Sequence, residues 1–353
     1  MLPSVVDNAM KSPWEGKSVL ITGACGTVGR ELLKQILDIP DVKEIVCIDN
    51  NESDLFFLEE AYRGESRCHF YFCDIREINA VRSRMAGINI VLHTAALKHV
   101  HLCEKSPDDA IATNIRGLQN IIKAAQIQGV ERVLFTSSDK AVNPTNVMGT
   151  SKLMGERLMT AAAESVRGGG TVFVSTRFGN VLGSRGSVIP LFRKQIEAGG
   201  PLTLTDPNMT RFIMTLREAV MLVIESVFLA KGGEVFVTKM PVVRIEDLAT
   251  VMVNRLADKY GHEPKSFPIE SIGPRPGEKL YEELVNSEEI RRTIELPRYY
   301  VVLPAFKPRF EAVTYEYPGM KVIEKDAPYD SSVVETMSVD SLDDFLVSNS
   351  LLE

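Results

Sequence analysis

The sequence predicts an α/β protein built on a doubly wound parallel sheet, with a smaller C-terminal cap. Two observations carry that expectation. From Ser18 onward, short β-branched apolar runs alternate with segments of helical period, and apolar runs without polar alternation belong to strands covered on both faces. The first run also ends in a glycine-rich turn, T-G-A-C-G-T-V-G, that opens directly into a helical segment.

Taken in order, S-V-L-I-T (18–22) reads as a buried strand and T-V-G-R-E-L-L-K-Q-I-L as the helix after it. E-I-V-C-I-D (44–49) is a second strand, followed by a helix-like segment from Leu55 to Tyr62. H-F-Y-F-C-D (69–74) and I-N-I-V-L-H (88–93) are the third and fourth strands. A long helix from about Pro107 to Gln128 leads to R-V-L-F-T (132–136), and a helix over 147–166 leads to T-V-F-V-S-T (171–176). After Gly179 the alternation weakens and glycine- and proline-rich loops lengthen, which suits a cap over the strand ends. The expected organisation is a first domain over 15–180 and a second part over 181–306, from which a helix or strand can return to the first domain. An acidic C-terminal extension over 307–353 has a role that its mixed pattern leaves open.

The 353 residues carry a net charge of −7, with 44% apolar and 25% charged residues. This is ordinary globular composition, and its sign argues against a nucleic-acid polymer as a partner. Five scattered cysteines form no disulfide framework. Cys68-His69 with Cys73 reads as a strand with buried thiols, and His99 with His101 lacks further ligands, so no metal is expected. The N-terminus does not read as a signal peptide, and the most apolar later stretch is broken by Glu225. A cytoplasmic protein that does not engage the membrane follows as the expectation.

The glycine turn places Gly23, Gly26 and Gly29 at G-x-x-G-x-x-G, with Thr27 and Val28 opening the helix. The first glycine permits the turn and the second lets backbone approach a pyrophosphate. The third lets helix pack on strand, and the helix N-terminus favours the phosphate charge. This is the signature of a Rossmann-like dinucleotide site. Asp49 ends the second strand twenty residues after Gly29, where a carboxylate holds ribose hydroxyls and repels a 2′-phosphate; NAD is therefore favoured over NADP. Asp74, followed by Ile75, suits either the adenine amine or a helix N-cap.

These residues, with H-T-A-A (Ala95 and Ala96), T-N-I-R-G (Asn114) and Lys152, resemble the extended short-chain dehydrogenase/reductases. Four motifs narrow the likeness: A-A-L-K-H-V (95–100), S-S-D-K-A-V-N-P-T-N-V-M-G-T-S-K (137–152), R-F-G-N-V-L-G-S-R-G-S-V-I-P (177–190) and G-P-R-P-G-E-K-L-Y-E-E-L (273–284). Together they are similar to the UDP-N-acetylglucosamine 4,6-dehydratases of polysaccharide biosynthesis. The likeness covers about residues 15–290. Some members carry a large membrane-spanning N-terminal region, and this chain resembles the soluble form. In some members a tyrosine stands where this chain has Met148; others carry methionine, as here.

The resemblance implies a reaction. Oxidation at C4 acidifies C5, water leaves across C5 and C6, and hydride returns to C6 with NAD unchanged. It also implies roles. Ser138 bonds the C4 oxygen, Asp139 protonates the leaving C6 hydroxyl, Lys140 takes the C5 proton and Lys152 holds the nicotinamide ribose. With Met148 inert, Asp139 is expected to act twice, accepting the C4 proton and later giving one to the C6 hydroxyl. Lys98, His99, Asn180, Ser187, Val188, Arg211, Arg275 and Glu278 are the substrate-binding candidates. A homo-oligomer is implied too, through helices 107–128 and 147–166. The rival readings are a UDP-sugar 4-epimerase and a catalytically silent NAD-binding sensor or scaffold.

Overall fold

A computed structural model describes residues 12–166, 170–184, 186–273, 277–306, 313–323 and 328–352. The six leading strands are β1 (Ser18–Thr22), β2 (Glu44–Asp49), β3 (Cys68–Phe72), β4 (Ile90–His93), β5 (Arg132–Ser138) and β6 (Val172–Phe178). They lie side by side in the order β3-β2-β1-β4-β5-β6, all parallel. Strand order reverses between β1 and β4, and a doubly wound sheet opens its binding crevice at that point. β1 and β4 are buried along their whole length, as apolar runs under two helical layers should be.

The sheet does not end at β6. Val235–Thr238 adds in parallel, then Tyr299–Val302, Thr293–Glu295 and Lys321–Val322 add antiparallel, giving ten strands. Residues beyond 181 thus build part of the main sheet as well as the cap. The cap holds the three-stranded sheet of Asn180–Val181, Thr210–Met214 and Val242–Arg244, with helices Val188–Glu197 and Ile245–Leu256. The C-terminal helix Val339–Ser348 packs on it, burying Leu342 and Leu346 in one apolar cluster with Ile189, Phe192 and Leu248. The C-terminal segment therefore packs on the body. Tyr329–Asp330 also pairs with Glu283–Val285.

Element ends differ from expectation for identifiable reasons. β5 and β6 run on to Ser138 and Phe178 because Thr136–Ser138 pairs with Thr176–Phe178, and polar strand ends carry no apolar signal. β3 begins a residue early and stops at Phe72, and β4 begins at Ile90. The helix expected over 107–128 is interrupted by a π-helical stretch, Ile111–Gly117, which carries Asn114. Such stretches recur where a side chain must be re-aimed. The helix Val147–Glu164 reaches the sheet closely because Gly155 lies under Phe135, where a Cβ would fall 2.6 Å from the ring. Arg177 on β6 clamps that helix to the C-terminal part by pairing with both Glu156 and Glu289 at 2.7 Å, all three buried.

Candidate functional site

The glycine turn needs its glycines for close approach. Gly23 has φ of +70°, and a Cβ there would fall 2.7 Å from the Ala95 backbone, so the turn packs against the segment leaving β4. A Cβ on Gly29 would fall 2.3 Å from the Gly23 carbonyl oxygen. Gly26 stands at the N-cap of helix Thr27–Leu37, with no side chain to cap its first turn at Thr27 and Val28. Asp49 closes β2 and is fixed by two amides: Cys25 N–H donates to Oδ2 and Asn51 N–H to Oδ1, each at 2.9 Å.

A cavity of about 660 Å³ opens over this turn, lined by Gly23, Gly26, Asp49, Ile75, Arg76, Ala95, Ala96, Lys98 and His99 among others. The cradle, the helix N-terminus and the ribose-reaching acid fit a dinucleotide. Asp74 is not in that lining and is not the helix N-cap, since the next helix starts at Ile78 with Glu77 in the cap position. Its carboxylate instead accepts from the Arg76 backbone at 2.9 Å and from the guanidinium at 2.6 Å, which holds it below the usual range. Ile75 packs on Gly117, where a Cβ would fall 2.6 Å from its Cδ1. Ala95 N–H donates to Thr22 Oγ1 at 3.3 Å.

Asn114 is spent within the chain. Its Oδ1 accepts from Leu97 N–H at 2.8 Å, and its Nδ2 donates to Leu97 O at 3.0 Å and Ser151 Oγ at 2.9 Å. It locks the β4 loop to the helix that carries Lys152. The Lys152 ammonium donates to Thr136 O at 2.8 Å and lies 4.7 Å from the centre of the Phe135 ring. Burial brings it down to about 8, against the opposing pull of Glu156. Met148, one turn earlier, is 3% exposed and packs with Cys103 and Ala110. Sequence reasoning missed His93, which is buried on β4 and whose Nδ1 lies 2.7 Å from Thr22 Oγ1. Burial brings its imidazole down to about 3, so it stays neutral.

At the end of β5 the chain turns tightly through Asp139–Ala141. Ser138 Oγ donates to Asp139 Oδ1 at 2.8 Å and accepts from Lys140 N–H at 3.1 Å. Lys140 Nζ donates to both Asp139 oxygens, at 3.1 and 3.0 Å. Burial works to raise the Asp139 pKa, but the Lys140 charge and the bonds from Lys140 and Ser138 outweigh it and hold it low. Burial likewise works against the Lys140 ammonium, and the Asp139 and Glu282 carboxyls outweigh it, so Lys140 stands above the usual lysine range.

Glu282 is the second member that sequence reasoning missed. It lies 4% exposed, 3.8 Å from Lys140 Nζ and 3.3 Å from Arg211 Nε. Asn180 Nδ2 donates to both its oxygens at 2.9 and 2.7 Å, and Phe212 N–H donates at 3.2 Å. Burial, then the Asp139 charge, push its carboxyl up to about 7 against Lys140, Arg211 and Asn180. The signal was in Y-E-E-L, but only the fold tells which glutamate turns inward: Glu283 bonds Asn143 nearer the surface.

Of the remaining candidates, Arg211 also donates to Thr210 O and Lys279 O at 2.8 Å, and stands 4.0 Å from Glu278. Ser187 caps helix Val188–Glu197 in position, but its buried Oγ has no partner among the described residues. A Cβ on Gly186 would fall 2.9 Å from the His99 ring, which puts Gly186 beside the cavity rim. Arg275 lies outside the described residues. Among the described residues no group of three or more His, Cys, Asp and Glu could hold a metal ion, and no helix is long and apolar enough to cross a membrane.

The fold and the site define an extended short-chain dehydrogenase/reductase of the nucleotide-sugar dehydratase and epimerase type. A family described as polysaccharide biosynthesis protein matches residues 19–304, and the chain belongs to that family. An uncharacterized membrane protein of Methanocaldococcus jannaschii is 48% identical over 82% of this chain and 87% of its own length. The probable polysaccharide biosynthesis protein EpsC of Bacillus subtilis is 41% identical over 84% of the chain, which spans 49% of EpsC. A protein named UDP-glucose 4-epimerase in Rickettsia bellii is 38% identical over 94% of the chain and 96% of its own length. Among solved structures, Pen from Bacillus thuringiensis superposes with a TM-score of 0.88 at 41% identity, over 97% of this chain and 100% of that one. The dTDP-glucose 4,6-dehydratase DesIV from Streptomyces venezuelae shares the fold, with a TM-score of 0.66 at 22% identity over 74% and 86% of the two chains.

Proposed function

We propose that this protein catalyses the NAD-dependent 4,6-dehydration of UDP-N-acetylglucosamine to a 4-keto-6-deoxy sugar nucleotide. The observation that carries the reading is the Asp139–Lys140 pair, joined at 3.0 Å where β5 ends and backed by the buried Glu282. NAD, when bound, supplies the oxidation at C4 and its reversal at C6.

Everything else is the work of the chain. Gly23, Gly26, Gly29 and Asp49 hold the dinucleotide, and Asp49 favours NAD by repelling a 2′-phosphate. Lys152 orients the nicotinamide ribose. Ser138 bonds the C4 oxygen and fixes Asp139, which takes the C4 hydroxyl proton and gives it to the departing C6 hydroxyl. Lys140 removes the proton at C5. Lys98 and His99 on the rim bind the sugar, Asn180, Arg211, Arg275 and Glu278 serve the nucleotide diphosphate and its ribose, and Ser187 and Val188 complete the substrate site. A homo-oligomer forms through helices 107–128 and 147–166, on which Ile111, Ile127 and Met154 are exposed.

The name of the Rickettsia bellii relative favours a second reading, a UDP-sugar 4-epimerase. Epimerisation returns hydride to C4 and has no use for an acid at C6, which leaves the Asp139–Lys140 pair without a task. A mass spectrum after incubation with UDP-N-acetylglucosamine decides. Loss of one water without net NADH is expected; an unchanged mass with a new isomer means the epimerase. Bound NAD with no turnover means a silent binding protein.

A further inference from the structure

A lysine that serves as the base at C5 must present a free amine, and Lys140 is held as an ammonium. Its ammonium is held by Asp139 at 3.0 Å and faces Glu282 at 3.8 Å, so it must surrender a proton before it can accept one. The acceptors beside it are those two carboxylates: Asp139 is already hydrogen-bonded, and Glu282 at 3.8 Å comes within reach by a small swing of the flexible lysine chain. Asp139 is held low and, in the proposed reaction, already carries the C4 proton towards C6. Glu282 has no other task in that sequence.

The geometry points to Glu282 as the group that takes the proton from Lys140, freeing the amine to act as the C5 base. This rests on the dehydratase reading. Glu282 acts through Lys140 and is a positioning residue rather than a catalytic one. Its surroundings suit a carboxyl that must exist both charged and neutral. Asn180 Nδ2 and Phe212 N–H donate to the anion and the Arg211 guanidinium pairs with it at 3.3 Å, while burial and the Asp139 charge favour the acid. The charged and titratable groups facing it are Asp139 and Lys140 from the turn after β5 and Arg211 from strand Thr210–Met214, with Glu278 beyond Arg211. Such an arrangement sits near the balance point at neutral pH.

The step balances. A Lys140 N–H bond breaks and a Glu282 O–H bond forms. The amine then takes the C5 proton while the C6 hydroxyl leaves with the Asp139 proton as water. At the close of the cycle Lys140 returns a proton to C5 and recovers its own from Glu282. The C-terminal segment holds this device in place, since Ser331 Oγ accepts from Glu282 N–H at 2.9 Å and Ser331 N–H donates to Glu282 O at 2.8 Å.

The test uses the full chain with NAD and UDP-N-acetylglucosamine, comparing wild type, Glu282→Gln and Glu282→Asp. In single turnover, Glu282→Gln is expected to oxidise C4 at a near-normal rate and accumulate NADH, while water loss slows about 100-fold or more. Wild-type water loss should fall as pH drops through about 7, the Gln variant should lack that limb, and Asp should restore part of the rate and the limb. A Gln variant that keeps the limb and a rate within about threefold overturns the inference. So does one that loses oxidation and elimination alike, or an Asp variant no better than Gln. If the Gln variant fails to fold, the pH profile of the Asp variant decides: a limb displaced from that of wild type supports the inference, and an unmoved limb overturns it. If wild type releases no water from the sugar nucleotide, the dehydratase reading itself falls, which is a different outcome from an unaltered variant.

Discussion

Gly149 lies so close to Lys140 that a Cβ on it would fall 2.2 Å from the Lys140 carbonyl oxygen. The first turn of helix Val147–Glu164 is thereby pressed onto the turn carrying Asp139 and Lys140, with Asn146 Oδ1 accepting from Gly149 N–H at 2.8 Å as its cap. Helix propensity alone would favour Ala at position 149 by about 1 kcal/mol. The clash is with backbone and cannot rotate away, so overpacking wins. Gly149→Ala should lose about 1–3 kcal/mol in denaturant unfolding and most of its dehydration activity. Unchanged stability and activity would show that the turn tolerates displacement.

Met148 fills an apolar pocket with Cys103 and Ala110, and the side chain is buried. Restoring a tyrosine therefore adds bulk and a hydroxyl where neither has a place. Met148→Tyr should lower stability by about 1–3 kcal/mol and leave dehydration no faster than wild type. A rate gain measured by mass spectrometry would mean that the site waits for a phenol.

Asp139 is held as a carboxylate by Lys140 and Ser138, the state a proton acceptor needs. Asp139→Asn keeps the shape and removes the acceptor. Both NADH formation in single turnover and water loss should fall by about 100-fold or more, because the same group serves both steps. Near-normal elimination in this variant would overturn the double role.

Glu282 should be visible in stability as well as in rate. Its folded pKa is raised to about 7, above that of an unfolded glutamate. A group raised in this way supports the fold below about pH 4.3, and that contribution is lost as pH rises through about 7. Glu282→Gln mimics the neutral form and escapes the loss. Its stability relative to wild type should therefore climb between about pH 4.3 and 7, by roughly 3–4 kcal/mol. Parallel pH–stability curves for the two proteins would contradict this.

Much of the fold was legible because its signals are local. Gly23, Gly26 and Gly29 follow a strand and open a helix, and that spacing already implies the turn that packs on Ala95. The Asp74 side chain shows where local reading leaves a choice open: the fold removes the helix N-cap and leaves the adenine contact. Its partner is Arg76, two residues on, and no pattern distinguishes that clasp from a cap or an adenine contact. Asn114 likewise reads as a cofactor-site residue, yet its amide is used to tie Leu97 to Ser151.

The sequence by itself determined the parallel sheet, the dinucleotide cradle with Asp49, and the Ser138-Asp139-Lys140 turn. These depend on neighbours in the chain, and backbone geometry converts spacing into position. The tertiary structure alone decided that Glu282, 102 residues from Asn180, joins that turn. It also decided that Tyr329–Ser331 returns to hold Glu282 there. Ionisation at the site follows from this packing, because burial and charges brought together from distant segments set whether Asp139, Lys140 and Glu282 hold a proton.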